Sequence, residues 1–283
     1  MHDRGELSAD DQHTLTSASA GREELEHEMS VRLGARRTWL LQDVRTEDAL
    51  AAFGVELVEP ALSGLGGVPI TCLDFPSAQK AAHDEGRPLV VDNTELTSFG
   101  CAAARLGADL CYEWIRCFTF SRYDLLAVSI SRSSRGYAEV KDAEFLAGHV
   151  PSPACVDGLS VALRHREEQR RRANDCAQVV AYYLSCHPKV KKVIYPGIPH
   201  DESFKRAAGT MRNGFGKYVD FTLRNPAGME ALLSASPLTV RCGAGPRLLR
   251  PLDPQEGLMR MVCPAEDARG VINEAESLLA RLQ

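Results

Sequence analysis

The sequence predicts an α/β fold: a mostly parallel sheet domain followed by a smaller C-terminal α/β domain. Three observations carry this. Short unbroken apolar runs, such as Pro88-Leu89-Val90-Val91 and Leu125-Leu126-Ala127-Val128-Ser129-Ile130, alternate with helical patterns. That is how strands buried on both faces read together with their crossover helices. One long helical pattern, Ser160 to Leu184, interrupts the alternation, and further strands follow it. Finally, 283 residues at 44% hydrophobic and 25% charged can bury one large core or two ordinary ones, which excludes a mostly disordered chain.

Residues 1–30 are polar (SADDQHTLTSASAG) and read as a tail, with a short charged helix over Arg22 to Val31. Thr38 to Leu41 is a first strand, Glu47 to Phe53 a helix, and Val55 to Val58 a second strand before the Gly/Pro-rich loop PALSGLGGVP. Asp74 to Glu85 is helical, with Phe75, Ala78 and Ala82 on one side and Gly86 as its stop. Pro88 to Val91 is a strand, Cys101 to Leu106 a helix ended by Gly107, and Asp109 to Tyr112 and Leu125 to Ile130 are strands. His187-Pro188 ends the long helix. Lys192 to Tyr195, Lys217 to Leu223 and Leu258 to Val262 are then strands, and Val271 to Leu282 is an amphipathic helix with Val271, Ala275, Leu278 and Leu282 on one face. The chain thus divides into a polar tail (1–30), a sheet domain (31–165) and a small domain opening with a long linking helix (166–283).

Composition narrows the function. A formal charge of −5 argues against nucleic acid as the main partner. No run approaches the roughly 20 apolar residues that cross a bilayer, and the first residues lack the apolar segment of a secretory signal, so a cytoplasmic protein is expected. The nine cysteines include no C-x-x-C pair, and most have apolar neighbours (Cys72 beside Leu73, Cys111 after Leu110, Cys263 after Val262). They read as small core hydrophobes in a reducing compartment, with no metal site. The basic run RHREEQRRR carries Glu167 and Glu168 and is followed by Asp175, so it reads as a solvated helix face.

Four motifs occur in order: Glu59-Pro60, the weakest; Val90-Val91-Asp92-Asn93-Thr94 with D-x-x-x-A-x-x-A-A-H-D-E-G upstream (Asp74 to Gly86) and L-G-A-D downstream (Leu106 to Asp109); H-P-K-V-K-K-V-I-Y-P-G (His187 to Gly197) followed by G-F-G-K-Y-V-D-F (Gly214 to Phe221); and L-M-R-M-V-C-P-A-E-D (Leu258 to Asp267). From about residue 31 onward the chain resembles the Cys/Met-metabolism family of pyridoxal-phosphate (PLP) enzymes, which includes cystathionine γ-synthases, cystathionine lyases and methionine γ-lyases. The resemblance implies a fold-type-I PLP-transferase-like architecture with an incomplete large domain at 31–165. It implies PLP as cofactor, transsulfuration or carbon–sulfur lysis as the ancestral chemistry, and assembly as a homo-oligomer or with a full-length relative.

PLP chemistry needs a lysine to form the Schiff base, an acid on the pyridine nitrogen, donors for the phosphate and an arginine fork for the substrate carboxylate. By resemblance Asp92 is the pyridine-nitrogen partner; on its own it reads as a strand-end residue capping the next turn. Counting from Asp92, the Schiff-base column holds Cys117, and a thiol forms no imine. The phosphate-holding serine and threonine columns hold Trp114 and Arg116, so an indole would block or fill that space. The pocket-asparagine column holds Gly67. Arg260 matches the carboxylate arginine; its structural alternative is an ion pair with Glu256 or Glu266. Lys80 and Lys141 lie outside the strand end that carries the lysine. The N-terminal arm, phosphate helix and stacking-tyrosine loop are absent, so the chain reads as a shortened, degenerate member. Its first sheet edge then needs cover from the tail, a partner or refolding.

Three functions follow: a pseudoenzyme acting by binding or assembly; an active PLP-dependent lyase or transferase with an atypical site; and a thiol-based or ligand-binding protein using the old pocket. The first accounts for the simultaneous loss of lysine, phosphate ligands and asparagine.

Overall fold

The protein is described from a computed structural model, which covers residues 9–57, 61–117, 123–133, 136–226 and 249–281. The elements in chain order are α1 (Ala9–Leu33), β1 (Ala35–Gln42), α2 (Thr46–Ala51), β2 (Leu62–Ser63), β3 (Leu65–Gly66), β4 (Thr71–Cys72), α3 (Phe75–Asp84), β5 (Val90–Asp92), α4 (Thr97–Gly100) and α5 (Ala103–Leu106). There follow β6 (Leu110–Cys117), β7 (Tyr123–Ser131), α6 (Ala143–Gly148), α7 (Pro153–Cys186), β8 (Val190–Ile194), α8 (Phe204–Thr210), β9 (Tyr218–Leu223), β10 (Leu249–Asp253), β11 (Leu258–Val262) and α9 (Ala268–Leu279). The chain divides into two compact units: the first holds Met1–Leu62, Phe75–Ser98 and Ala102–His165, the second Ser63–Asp74, Phe99–Cys101 and Arg166–Gln283.

In the first unit a mixed sheet runs in the order β1-β7-β6-β5-β2. β5 and β6 are parallel, β7 is antiparallel to β6, and β1 is antiparallel to β7. Alternation along the strands builds two faces. Leu41, Tyr112, Leu126 and Val128 face one apolar cluster with Leu50 and Phe53. Leu40, Ile115, Leu125 and Ala127 face another with Leu25 and Met29 of α1 and Val156 and Leu159 of α7. Gly86 (φ 72) closes α3 as expected, in the left-handed region that a side chain disfavours.

Two sequence expectations need correction. The tail is instead the long helix α1, extending over Ala9–Leu33. Leu25, Met29 and Leu33 lie four apart and are all buried, while polar residues occupy most positions between them, so the pattern reads weakly as a helix. Residues 55–57 form no strand. Val55 is buried because its N–H turns back to the Leu50 carbonyl (3.1 Å), closing α2 against the cluster. The expected Val58 and the Glu59-Pro60 motif lie outside the described residues.

α1 also covers the outer edge of β1. The Leu40 N–H donates to Glu26 Oε1 (2.9 Å), and the Gln42 N–H to the His149 carbonyl (2.8 Å). Ser30 donates to Thr38 Oγ1 (3.0 Å), which contacts Ser129 Oγ (2.8 Å). Edge donors that would otherwise template another strand are thereby occupied.

The second unit is a four-stranded antiparallel sheet in the order β10-β11-β9-β8. Val219, Phe221, Met259 and Met261 on one face pack with Ala177, Val180 and Leu184 of α7 and Val271, Ala275 and Leu278 of α9. Asp267, the last residue of the fourth motif, caps α9 by accepting the Arg269 N–H (3.1 Å). The basic run is solvated only in part: Arg172 pairs with Glu168 (2.6 Å) in the open, whereas Arg166, Glu167 and Arg170 are half-buried.

Glu26 yields a stability prediction. It is 8% exposed, and burial raises its carboxyl above the ordinary range. A group whose folded pKa is raised stabilises most below its unfolded pKa, and that contribution fades as pH rises through the folded value. Glu26→Ala, which strands the Leu40 N–H, is expected to cost about 1–3 kcal/mol in urea melts. Glu26→Gln keeps an acceptor, so it should gain on the wild type as pH climbs from acid to neutral.

Candidate functional site

Each unit carries part of the ancestral constellation, and each part can be built separately. In the first, the parallel pair β5–β6 ends with Asp92 opposite Tyr112. Asp92 is half-buried at this carboxyl end of the strand, where open α/β sheets hold ligands. Its Oδ1 accepts the Thr94 N–H (2.8 Å), the turn-capping role that a strand-end aspartate plays locally. Thr94 Oγ1 in turn accepts the Trp114 N–H (3.1 Å). The Trp114 indole donates to Thr46 Oγ1 (3.2 Å), and its ring packs with the Leu50–Phe53 cluster. Trp114 therefore joins β6 to α2. Both of its N–H groups reach partners of the same unit.

β6 ends at Cys117, whose backbone pairs with Tyr123. The side chains of Arg116 and Cys117 lie outside the described residues. Lys80 and Lys141 are exposed, and Lys141 pairs with Glu139 (3.4 Å). Sequence reasoning passed over Glu113, which is 2% exposed between Tyr112 and Trp114 and accepts the Ser98 N–H. Its only signal was a charge inside an otherwise apolar strand.

The second unit joins two residues that sequence reasoning had singled out separately. Gly67 lies in the turn between β3 and β4, and Arg260 lies in β11. Arg260 faces Asp220 of β9 directly across the strands. Its Nε donates to Asp220 Oδ1 (2.7 Å) and its Nη2 to Oδ2 (2.8 Å), a bidentate fork. The same Nη2 donates to the Gly67 carbonyl (2.7 Å), 193 residues away in sequence. Asp220 Oδ2 also accepts the Ile70 N–H (2.6 Å). The guanidinium lies 5.4 Å from the centre of the Tyr218 ring. Arg260 is 6% exposed and Asp220 0%. The expected pairing with Glu256 or Glu266 is thus corrected to Asp220: strand register places Asp220 opposite, whereas the glutamates lie beyond the strand ends.

The residues present do not fit a covalently held PLP with an amino acid bound beside it. By the resemblance, the Schiff-base column offers a thiol, Cys117. The Trp114 donors are directed to Thr94 and Thr46. The carboxylate fork already grips a carboxylate of its own chain. Burial pushes Cys72 up to about 11 and Cys101 up to about 12, outweighing the pull of Arg206 and Arg212, so both stay protonated at neutral pH. Cys176 is lowered, chiefly by its hydrogen bond with the Cys263 thiol and not by a cation.

A family model described as Cys/Met metabolism PLP-dependent enzyme matches residues 65–240, more than half of the chain. Cystathionine γ-synthase 1 of Arabidopsis thaliana is 27% identical over 154 residues, which are 54% of this chain and 27% of that protein. A probable cystathionine γ-synthase of Herpetosiphon aurantiacus is 26% identical over 208 residues, 66% of this chain and 63% of the relative. The matches therefore span less than two thirds of these relatives' length. Among solved structures, O-acetylhomoserine sulfhydrylase of Wolinella succinogenes aligns with a TM-score of 0.66 at 18% identity, covering 93% of this chain and 98% of the other. Methionine γ-lyase CalE6 of Micromonospora echinospora gives 0.67 at 22%, covering 92% and 85%. These two share the fold-type-I architecture, and at such identity they speak to the fold alone.

The buried pair can be tested by a double-mutant cycle. Asp220→Ala leaves Arg260 charged and buried, so it should cost about 3–5 kcal/mol in denaturant melts of the full chain. Asp220→Leu combined with Arg260→Met removes both charges and should cost far less than the two single changes added together. Additivity would mean that the two side chains are not coupled.

Proposed function

The chain belongs to the Cys/Met-metabolism family of PLP-dependent enzymes, and from that premise we propose that it has given up Schiff-base catalysis and acts by binding or assembly. The observation that carries the reading is the Asp220–Arg260 fork. An arginine that takes a free amino acid must keep its planar donors open to solvent; here Nε and Nη2 are bonded to the chain's own carboxylate and to the Gly67 carbonyl. Releasing that fork for a substrate would leave Asp220 buried and unpaired, at a cost of several kcal/mol.

Cys117 in the lysine column supports the same reading, since transimination needs an amine. Among the described residues, each unit meanwhile keeps an apolar core. A kept fold with lost chemistry suits a protein that pairs with a second copy or with a longer relative and alters its stability or activity. Among the described residues no helix is long and apolar enough to cross a membrane. Together with cysteine usage suited to a reducing compartment, this favours the cytoplasm.

The experiment is purification of the full chain with excess PLP, followed by an absorbance spectrum and by mass measurement after borohydride. The expected result is no Schiff-base band and an unmodified mass, while a lysine-bearing relative treated alongside gains both. A stable adduct mapped to Lys80, Lys141 or any other lysine would instead favour an active enzyme with a relocated amine. Co-purification from native cells is expected to yield a homo-oligomer or a complex with a longer family member.

A further inference from the structure

A cavity of about 320 Å³ opens along the outer edge of β1, between α1 and the segment carrying α6. That volume falls in the range of small-molecule sites. Its walls are mostly apolar: Trp39, Leu41 and Leu146, with Val150 at the rim 43% exposed. Two cations, Arg22 and Arg37, and one carboxylate, Glu26, complete it.

Arg22 is the informative group. Its Nε is buried and has no hydrogen-bond partner among the described residues. The Glu26 carboxylate stands 3.7 Å away, beyond hydrogen-bond reach, and is held by the Leu40 N–H at 2.9 Å. Glu23 meets a different nitrogen of Arg22 at 3.6 Å. The Arg37 guanidinium lies over the Trp39 ring at 4.9 Å, at the same wall. A buried donor without an acceptor is costly, and one ordered oxygen would relieve it.

We propose that this cavity binds a small amphipathic monocarboxylate. Its apolar body lies on Trp39, Leu41 and Leu146, and its carboxylate accepts from Arg22 Nε with Arg37 adding charge. Glu23 balances Arg22 from the solvent side, its side chain 69% exposed, but the cavity lining itself holds two arginines against the one carboxylate of Glu26, which suits a single anionic group. Strand addition is disfavoured, because the outward N–H groups of Leu40 and Gln42 are already bonded to Glu26 and to the His149 carbonyl. The inference stands whether or not the chain uses PLP.

The test uses 4-phenylbutyrate, with the uncharged 4-phenyl-1-butanol as its partner probe. Trp39 and Trp114 are the only tryptophans of the sequence, so Trp114→Phe leaves emission from Trp39 alone. Phenylbutyrate should change that emission saturably, and the alcohol should bind at least about ten-fold more weakly, as loss of a charge-assisted hydrogen bond requires. Arg22→Gln should weaken phenylbutyrate to a similar degree. Ala147→Phe, which enlarges an exposed alanine on the cavity wall, should abolish binding while circular dichroism stays unchanged. If the Trp114 variant misfolds, saturation-transfer NMR on the unmodified chain reads the same two probes. Equal binding of acid and alcohol, binding unaffected by Ala147→Phe, or no saturable binding would each overturn the proposal.

Discussion

In the second unit, the ion pair between Asp220 and Arg260 is the point on which the surrounding backbone converges. These residues sit opposite each other on the two inner strands of the sheet. The carboxylate accepts the Ile70 N–H and the guanidinium donates to the Gly67 carbonyl. One buried fork therefore fastens the β3–β4 turn to the face of the sheet that the apolar cluster does not use. Two charges this deep are tolerable because they neutralise each other and both carboxylate oxygens and three of the guanidinium N–H groups are hydrogen-bonded. Under the proposed reading, the same requirement keeps Arg260 from serving as a receptor. A pocket arginine and a structural arginine differ in whether a carboxylate of the chain reaches them first.

In the first unit, the positions that the resemblance singles out also bond within the chain. Asp92 holds the turn at Thr94, and Trp114 bridges β6 to α2 through Thr46. Each bond is modest alone, but together they tie the end of the parallel pair to its neighbours. In the second unit, Gly67 sits in the left-handed region (φ 87), where an added Cβ would meet the Pro69 carbonyl at 3.2 Å. Any larger side chain there would meet strain from both causes.

Much of the fold was legible because strand and helix signals are punctuated clearly. Gly86, Gly107 and Pro188 stop elements where the structure stops them. The C-terminal strands and α9 alternate or repeat with clean periods. The first helix was legible only over Arg22 to Val31: among its described side chains, Leu25, Met29 and Leu33 carry the apolar part of the buried stripe, and Glu26 and Ser30 share that stripe as satisfied polar groups. The run at Val55 looked like a strand because apolarity reports burial and not pairing. The site was half legible: Gly67 and Arg260 could be named, but the carboxylate partner of Arg260 could not. Asp220 sits 40 residues before Arg260, and only the register of β9 against β11 brings them face to face. Nearby glutamates in sequence offered a false alternative.

The central claim is that Arg260 is occupied by the chain itself and is closed to an amino acid. Nitrogen-15 NMR of the arginine Nε–H groups measures this directly, with the Arg260 resonance assigned by Arg260→Lys. The account predicts a slowly exchanging Arg260 Nε–H whose shift stays fixed as L-methionine or L-cystathionine is added, with or without PLP. A saturable shift of that resonance on adding either amino acid, lost in Arg260→Lys, would contradict it.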